Sequence, residues 1–132
     1  MRCGWTVATC LALFLAAGAP AQDPDFAARL KAVKGPFTLL VHFKVKKGEE
    51  KAMVEAAKPC IAATRKEKGC VAYELQQDLE DPTKFTFYEK WKGPEALKEH
   101  MAAEHTKKLL GTVAKIAEGP PTLILARSIG DR

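Results

Sequence analysis

The sequence predicts an α+β fold with element order βαββαβ, a four-stranded antiparallel sheet carrying both helices on one face, the ferredoxin-like arrangement. Three observations carry this expectation. Residues 71–91 hold two alternating runs, Val71, Tyr73, Leu75 and then Phe85, Phe87, Glu89, Trp91, separated by the turn-forming Glu-Asp-Pro-Thr at 80–83. Two long stretches, 49–68 and 94–118, carry apolar residues at helical spacing. Alternating segments at 37–46 and 122–129 supply the first and last strands.

Ahead of these elements, Arg2 is followed by an apolar run from Val7 to Ala17, broken by Thr9, and by small residues ending Ala19-Pro20-Ala21. This reads as a secretory signal peptide over residues 1–21 with an A-x-A cleavage site. The run is shorter than the ~20 residues of a membrane span. The expectation is therefore a secreted or periplasmic protein with no stable membrane anchor after cleavage. About 110 residues would remain, enough for one modest domain. Residues 22–36 form a lead-in arm, with Phe26, Leu30 and Val33 at helical spacing and Gly35-Pro36 as its end. The domain proper spans 37–132.

In the first strand, Phe37, Leu39, Val41, Phe43 and Val45 make one wholly apolar face. The other face, Thr38, Leu40, His42, Lys44 and Lys46, is apolar near its start and polar at its end. A sheet with apolar residues on both faces needs covering on both. Helices cover one; a second copy of the sheet is the simplest cover for the other, which predicts a homodimer. Lys47-Gly48 turns into a helix over 49–68, with Glu49 and Glu50 in its first turn and Lys66 and Lys68 near its end, as the helix dipole favours. Met53, Ala56, Ala57, Cys60, Ile61 and Thr64 form its buried stripe. Pro59 inside this pattern should kink or split the helix, and Gly69 should stop it. Gly93-Pro94 opens the second helix, which runs to Glu118 with a bend near Ala102–Ala103 and stops at Gly119-Pro120-Pro121.

Charge and cysteine exclude some functions. The formal net charge of +5 comes from lysines spread along the chain with glutamates between them. No compact basic block is interleaved with aromatics, so no nucleic-acid partner is expected. Outside the leader, Cys60 and Cys70 form an even pair in an oxidising compartment, which invites a disulfide. Cys60, however, lies about two turns, ~10 Å, back along its helix, whereas bridged Cα atoms stand within ~7 Å. Two buried free thiols are expected instead.

The residues resemble the antibiotic biosynthesis monooxygenase (ABM) domain family, which includes small quinol monooxygenases. The resemblance rests on Lys47-Gly48, Arg65-x-Glu67-x-Gly69-Cys70, Tyr73-x-Leu75 before Asp81-Pro82-Thr83, Glu89-x-Trp91, Ala96-Leu97, and His100 with His105. In order, these span residues 37–129. The resemblance implies a dimeric α/β barrel, two ferredoxin-like sheets packed face to face with a pocket in each protomer. It also implies oxidation of a small phenolic or quinol-like substrate by O2 with no cofactor. Such chemistry needs a base that makes the substrate anion, a dry pocket to hold it and a route for the returning proton.

The inward residues offer these parts. His100, three after Leu97, faces the sheet and is the expected general base; Glu89 and His105 would orient it or relay protons. Tyr73 and Trp91, with Phe87 and Val41, would bind a small aromatic or apolar molecule. Glu89 is the sharpest anomaly, a carboxylate among Phe85, Phe87 and Trp91. Its plain alternative is a structural pair with Arg65, a lysine or the helix. His105 is five residues beyond His100, roughly 140° around an unbroken helix, so the two converge only if the helix bends. No metal is expected: no H-x-x-x-H or H-E-x-x-H spacing occurs, and the cysteines are not in ligand pairs. Leu109 and Leu110 stand where the haem-degrading branch places its ligating histidine. The alternative function is a non-catalytic binding module for a small apolar ligand, favoured by the shortage of polar residues beyond Glu89 and the histidines.

Overall fold

A computed structural model describes residues 25–130; the expected signal peptide lies outside them. The chain runs α1 (Phe26–Ala32), β1 (Phe37–Lys44), α2 (Glu50–Thr64), β2 (Cys70–Gln77), β3 (Lys84–Trp91), α3 (Pro94–Ala102), α4 (Glu104–Ile116) and β4 (Thr122–Ala126). The lead-in arm is thus partly helical, and its Phe26 is buried in the core. The strands form one antiparallel sheet in the order β2-β3-β1-β4, the ferredoxin-like topology. Among the described residues no helix is long and apolar enough to cross a membrane.

Register fixes which side chains share a face. Leu39 pairs with Glu89 and Leu125, Val41 with Phe87 and Leu123, and Phe43 with Phe85. With Tyr73 and Trp91 these line the side on which Met53, Ala57, Cys60, Leu109, Val113 and Ile116 complete a single core. At one end of this face Phe43 stacks on Phe85 and Phe87, both at 5.8 Å between ring centres. The opposite face carries Leu40, Tyr88 and Ile124 in one row. Ile124 keeps 40 % of its surface exposed, which leaves the second apolar face partly open in the single chain.

The helices depart from expectation in three places. Pro59 does not split α2, which is continuous through Thr64. Its side is exposed, so the ring meets no packed neighbour, and the lost hydrogen bond faces solvent. The helix also ends earlier than expected, and residues 65–70 close in tight turns, Lys66 N to Ala63 O at 3.1 Å, Glu67 N to Thr64 O at 3.0 Å and Cys70 N to Glu67 O at 3.1 Å. Gly69 is therefore no helix stop. It lies outside the positive-φ glycines and is needed for space: a Cβ there would stand 2.2 Å from the Ala96 Cβ. That close approach lets the start of β2 lie against the start of α3, with Lys92 N donating to Gly69 O at 2.9 Å. The expected bend is present, since Ala103 is extended (φ −72°, ψ 144°) and separates α3 from α4. The last strand stops at Ala126 rather than Ile129, its pairing with β1 ending at Thr38.

Candidate functional site

The break at Ala103 redirects the chain and brings His105 back beside His100, with ring centres 6.0 Å apart. Both imidazoles meet one carboxylate oxygen. His105 Nε2 lies 2.5 Å and His100 Nδ1 3.1 Å from Glu67 Oε1. The turns after α2 carry Glu67 into this position. Thr106, buried in the first turn of α4, places its Oγ1 3.3 Å from His100 Nδ1 and 3.4 Å from Nε2. Thr106 Oγ1, nearly equidistant from both nitrogens, packs against the His100 ring, while Nδ1 faces the Glu67 carboxylate. In the sequence Glu67 stands out only within Arg65-x-Glu67-x-Gly69-Cys70. The signal that could have found it is a carboxylate two residues ahead of a glycine that must pack closely.

His100 is 2 % exposed and is held by aromatic rings, Trp91 at 4.7 Å and Tyr73 at 5.2 Å between centres. Burial lowers its pKa; the Glu67 carboxylate pulls the other way. Burial thus favours the neutral imidazole, the form that can accept a proton. His105 and Glu67 form the rim, with side chains 26 % and 19 % exposed.

Glu89 is buried, and its partner is neither Arg65 nor a lysine. The Trp91 indole N–H donates to Glu89 Oε2 at 2.9 Å, while Arg65 Nε donates to the Tyr73 carbonyl at 3.0 Å. Desolvation raises the Glu89 pKa to about 8; the Trp91 hydrogen bond opposes this and the Glu67 charge adds to it. At neutral pH this group is mostly a carboxylic acid, a proton donor rather than a base. Trp91 thereby connects both parts of the site, hydrogen-bonded to Glu89 and packed at a tilt against His100.

Tyr73 and Phe87 pack at 5.2 Å, and the Tyr73 hydroxyl rests 3.9 Å from Cys60 Sγ; burial first, then the Glu89 charge and that thiol, raise the phenol pKa well above its usual value. Val41 sits across from Phe87, a row further from the histidines. Cys60 and Cys70 are free thiols; Cys60 is buried, as expected, and Cys70 only half-buried. A more open cleft of about 410 Å³ lies at the other end of the sheet, against His42, Gln76, Phe85 and Glu118. Its polar groups already pair with each other: His42 Nδ1 stands 2.7 Å from Thr86 Oγ1, and Lys44 3.5 Å from Glu118. Size alone does not make it the site.

The comparisons agree with this architecture. The family model described as antibiotic biosynthesis monooxygenase matches residues 36–110. An uncharacterized protein of Synechocystis sp. is 27 % identical over 100 residues, 73 % of this chain and 68 % of that one. A Nitrosomonas europaea protein, provisionally assigned to the antibiotic biosynthesis monooxygenases, superposes with a TM-score of 0.69 at 23 % identity, covering 74 % of this chain and 94 % of its own. The PA3566 protein of Pseudomonas aeruginosa gives 0.68 at 24 % identity, over 74 % and 97 %. At such identities the structures establish the fold, and the family match covers more than half of the sequence. The chain belongs to the antibiotic biosynthesis monooxygenase family.

Proposed function

We propose that this protein is a cofactor-independent monooxygenase acting on a small phenolic or quinol-like substrate. The observation that carries the reading is the carboxylate Glu67 holding two imidazoles against the aromatic wall of Tyr73 and Trp91. His100 is the general base, and Glu67 stabilises the imidazolium that forms. His105, the more exposed of the pair, passes the proton to solvent. The substrate anion supplies the electrons to O2: one oxygen atom bonds to a ring carbon, the other departs as water, and a hydroquinone becomes a hydroxyquinone. Glu89, protonated near neutral pH, returns a proton to the departing oxygen. Tyr73, Trp91 and Phe87, with Val41 behind them, shape the ring site.

We extend the reading to a homodimer, supported by the partly exposed Leu40, Tyr88 and Ile124 on the open face, and to secretion, supported by the leader-like residues 1–21. A second reading, a non-catalytic module for a small apolar ligand, is favoured by Trp91 at 0 % and Tyr73 at 3 % exposure, a wall packed mainly on itself. Oxygen uptake separates the two. Wild type should consume O2 with one member of a hydroquinone panel in chelator-treated buffer, and His100→Ala should lose ~100-fold or more, the range of an acid–base group. Equal uptake by both, or none by either, rejects the catalytic reading.

A further inference from the structure

Glu67, His100 and His105 come from the α2–β2 turn, α3 and α4, and one ligand-capable atom from each lies within 4.8 Å of the other two. The sequence hid this set, because its members are 33 and 5 residues apart and fit no metal-binding spacing. Two imidazole nitrogens and one carboxylate on adjacent corners are the donor set that suits Fe²⁺, Co²⁺ or Zn²⁺ with open positions left over.

Three features go beyond proximity. First, Glu67 Oε2 is buried and, among the described residues, has no hydrogen-bond partner, so a second carboxylate oxygen is available. Second, the ion-pair partners of Glu67 among the described residues are these two histidines. Among the described residues no lysine or arginine pairs with this partly buried carboxylate; Arg65, two residues away, is spent on a carbonyl. Third, Thr106 Oγ1 lies 3.3 Å from Nδ1 and 3.4 Å from Nε2 of His100, so it rests against the imidazole ring and helps to fix its orientation.

We propose that Glu67 Oε1, His100 Nδ1 and His105 Nε2 form a binding site for a divalent first-row transition-metal ion. Ligand atoms at ~2.0–2.2 Å from one ion stand roughly 3.0–3.4 Å apart. The His100–Glu67 separation of 3.1 Å already matches this. The His105–Glu67 contact of 2.5 Å must open slightly and the two histidine nitrogens, within 4.8 Å of each other, must come to the same spacing, movements for which the His105 side chain, 26 % exposed, leaves room. The site leaves room for water or an anionic oxygen ligand. The inference does not rest on the oxygenase reading. An ion here would occupy the atoms that hold His100 ready as a base, so the loaded and metal-free proteins are alternative states of one site.

Calorimetric titration of the metal-stripped full chain with Zn²⁺ and Co²⁺, without substrate, tests it. The expected result is one ion per chain, with a Co²⁺ spectrum of nitrogen and oxygen ligation and no thiolate charge-transfer band. Glu67→Gln and His105→Ala should each weaken the Kd ~100-fold or more, and Thr106→Val less, within the roughly 10–100-fold of a residue that orients a ligand. His42→Ala, at the far end of the sheet, should bind like wild type. Circular dichroism of each variant separates lost ligation from lost folding. No saturable binding, thiolate ligation, or binding unchanged in folded Glu67→Gln and His105→Ala would overturn the site, whatever the O2 assay gives.

Discussion

The two ends of the helix-covered face are built from the same strands and the same alternation, yet they differ in kind. At one end Phe43, Phe85 and Phe87 stack with no buried polar group between them. At the other, two residues on from Phe87, the pattern admits Glu89, and the helices deliver His100 and Thr106, and the α2–β2 turn Glu67, onto it. The first end maximises apolar burial. The second holds polar groups in a low dielectric with few partners, costly for stability and useful for chemistry. Stability and function should therefore separate along β3.

The largest effect is expected at the apolar end. Phe85→Ala removes a side chain from a stacked core and should cost about 3–5 kcal/mol in chemical denaturation. The Trp91–Glu89 contact should survive wherever the protein is folded. A smaller loss would mean that this end collapses readily around a cavity.

Next comes the pH dependence of the polar end. Glu89 is raised from 4.5 to about 8 in the folded chain, so folding takes up a proton between those values. Its contribution to stability is full below pH ~4.5, declines as pH rises, and levels off above ~8, a swing on the order of a few kcal/mol. Urea midpoints between pH 5 and 8 should fall in wild type and flatten in Glu89→Gln. Equal slopes would show that Glu89 does not titrate in this window.

Gly69→Ala probes the junction beneath the site and should cost about 1–3 kcal/mol, as overpacking does. Because the clash is with the Ala96 Cβ, the double change with Ala96→Gly should recover part of the loss. Additive costs would place the strain elsewhere. The smallest effect is His105→Ala. A rim histidine with 26 % of its side chain exposed should shift stability by less than about 1 kcal/mol while removing the proton relay and the metal affinity.

The sequence made the two ends legible to different degrees. Period-two alternation revealed the strands, and Glu89 stood out because it broke an apolar row. The bend at 102–103 was readable too, and with it the convergence of His100 and His105. Glu67 was not, because its position depends on where α2 ends, and tight turns took over five residues before the glycine expected to stop it. Gly69 looked like a helix stop and proved to be a spacer, a role set by Ala96, 27 residues away in sequence. Pro59 looked like a breaker and is absorbed on an exposed side of α2. The Gly69 miss concerns tertiary contact, which local pattern does not encode; the other two turn on where α2 stops and which of its sides faces solvent.

The most direct test of the central claim is to ask which end of the sheet a substrate-like ring chooses. Nuclear magnetic resonance titration with a hydroquinone that supports O2 uptake, or with a redox-inert phenol of the same shape, reads the Trp91 indole N–H and the three histidine imidazoles at once. The account predicts that Trp91, His100 and His105 shift together with one saturation curve while His42 stays still. Shifts confined to His42 and its neighbours in the cleft at the other end of the sheet would contradict it.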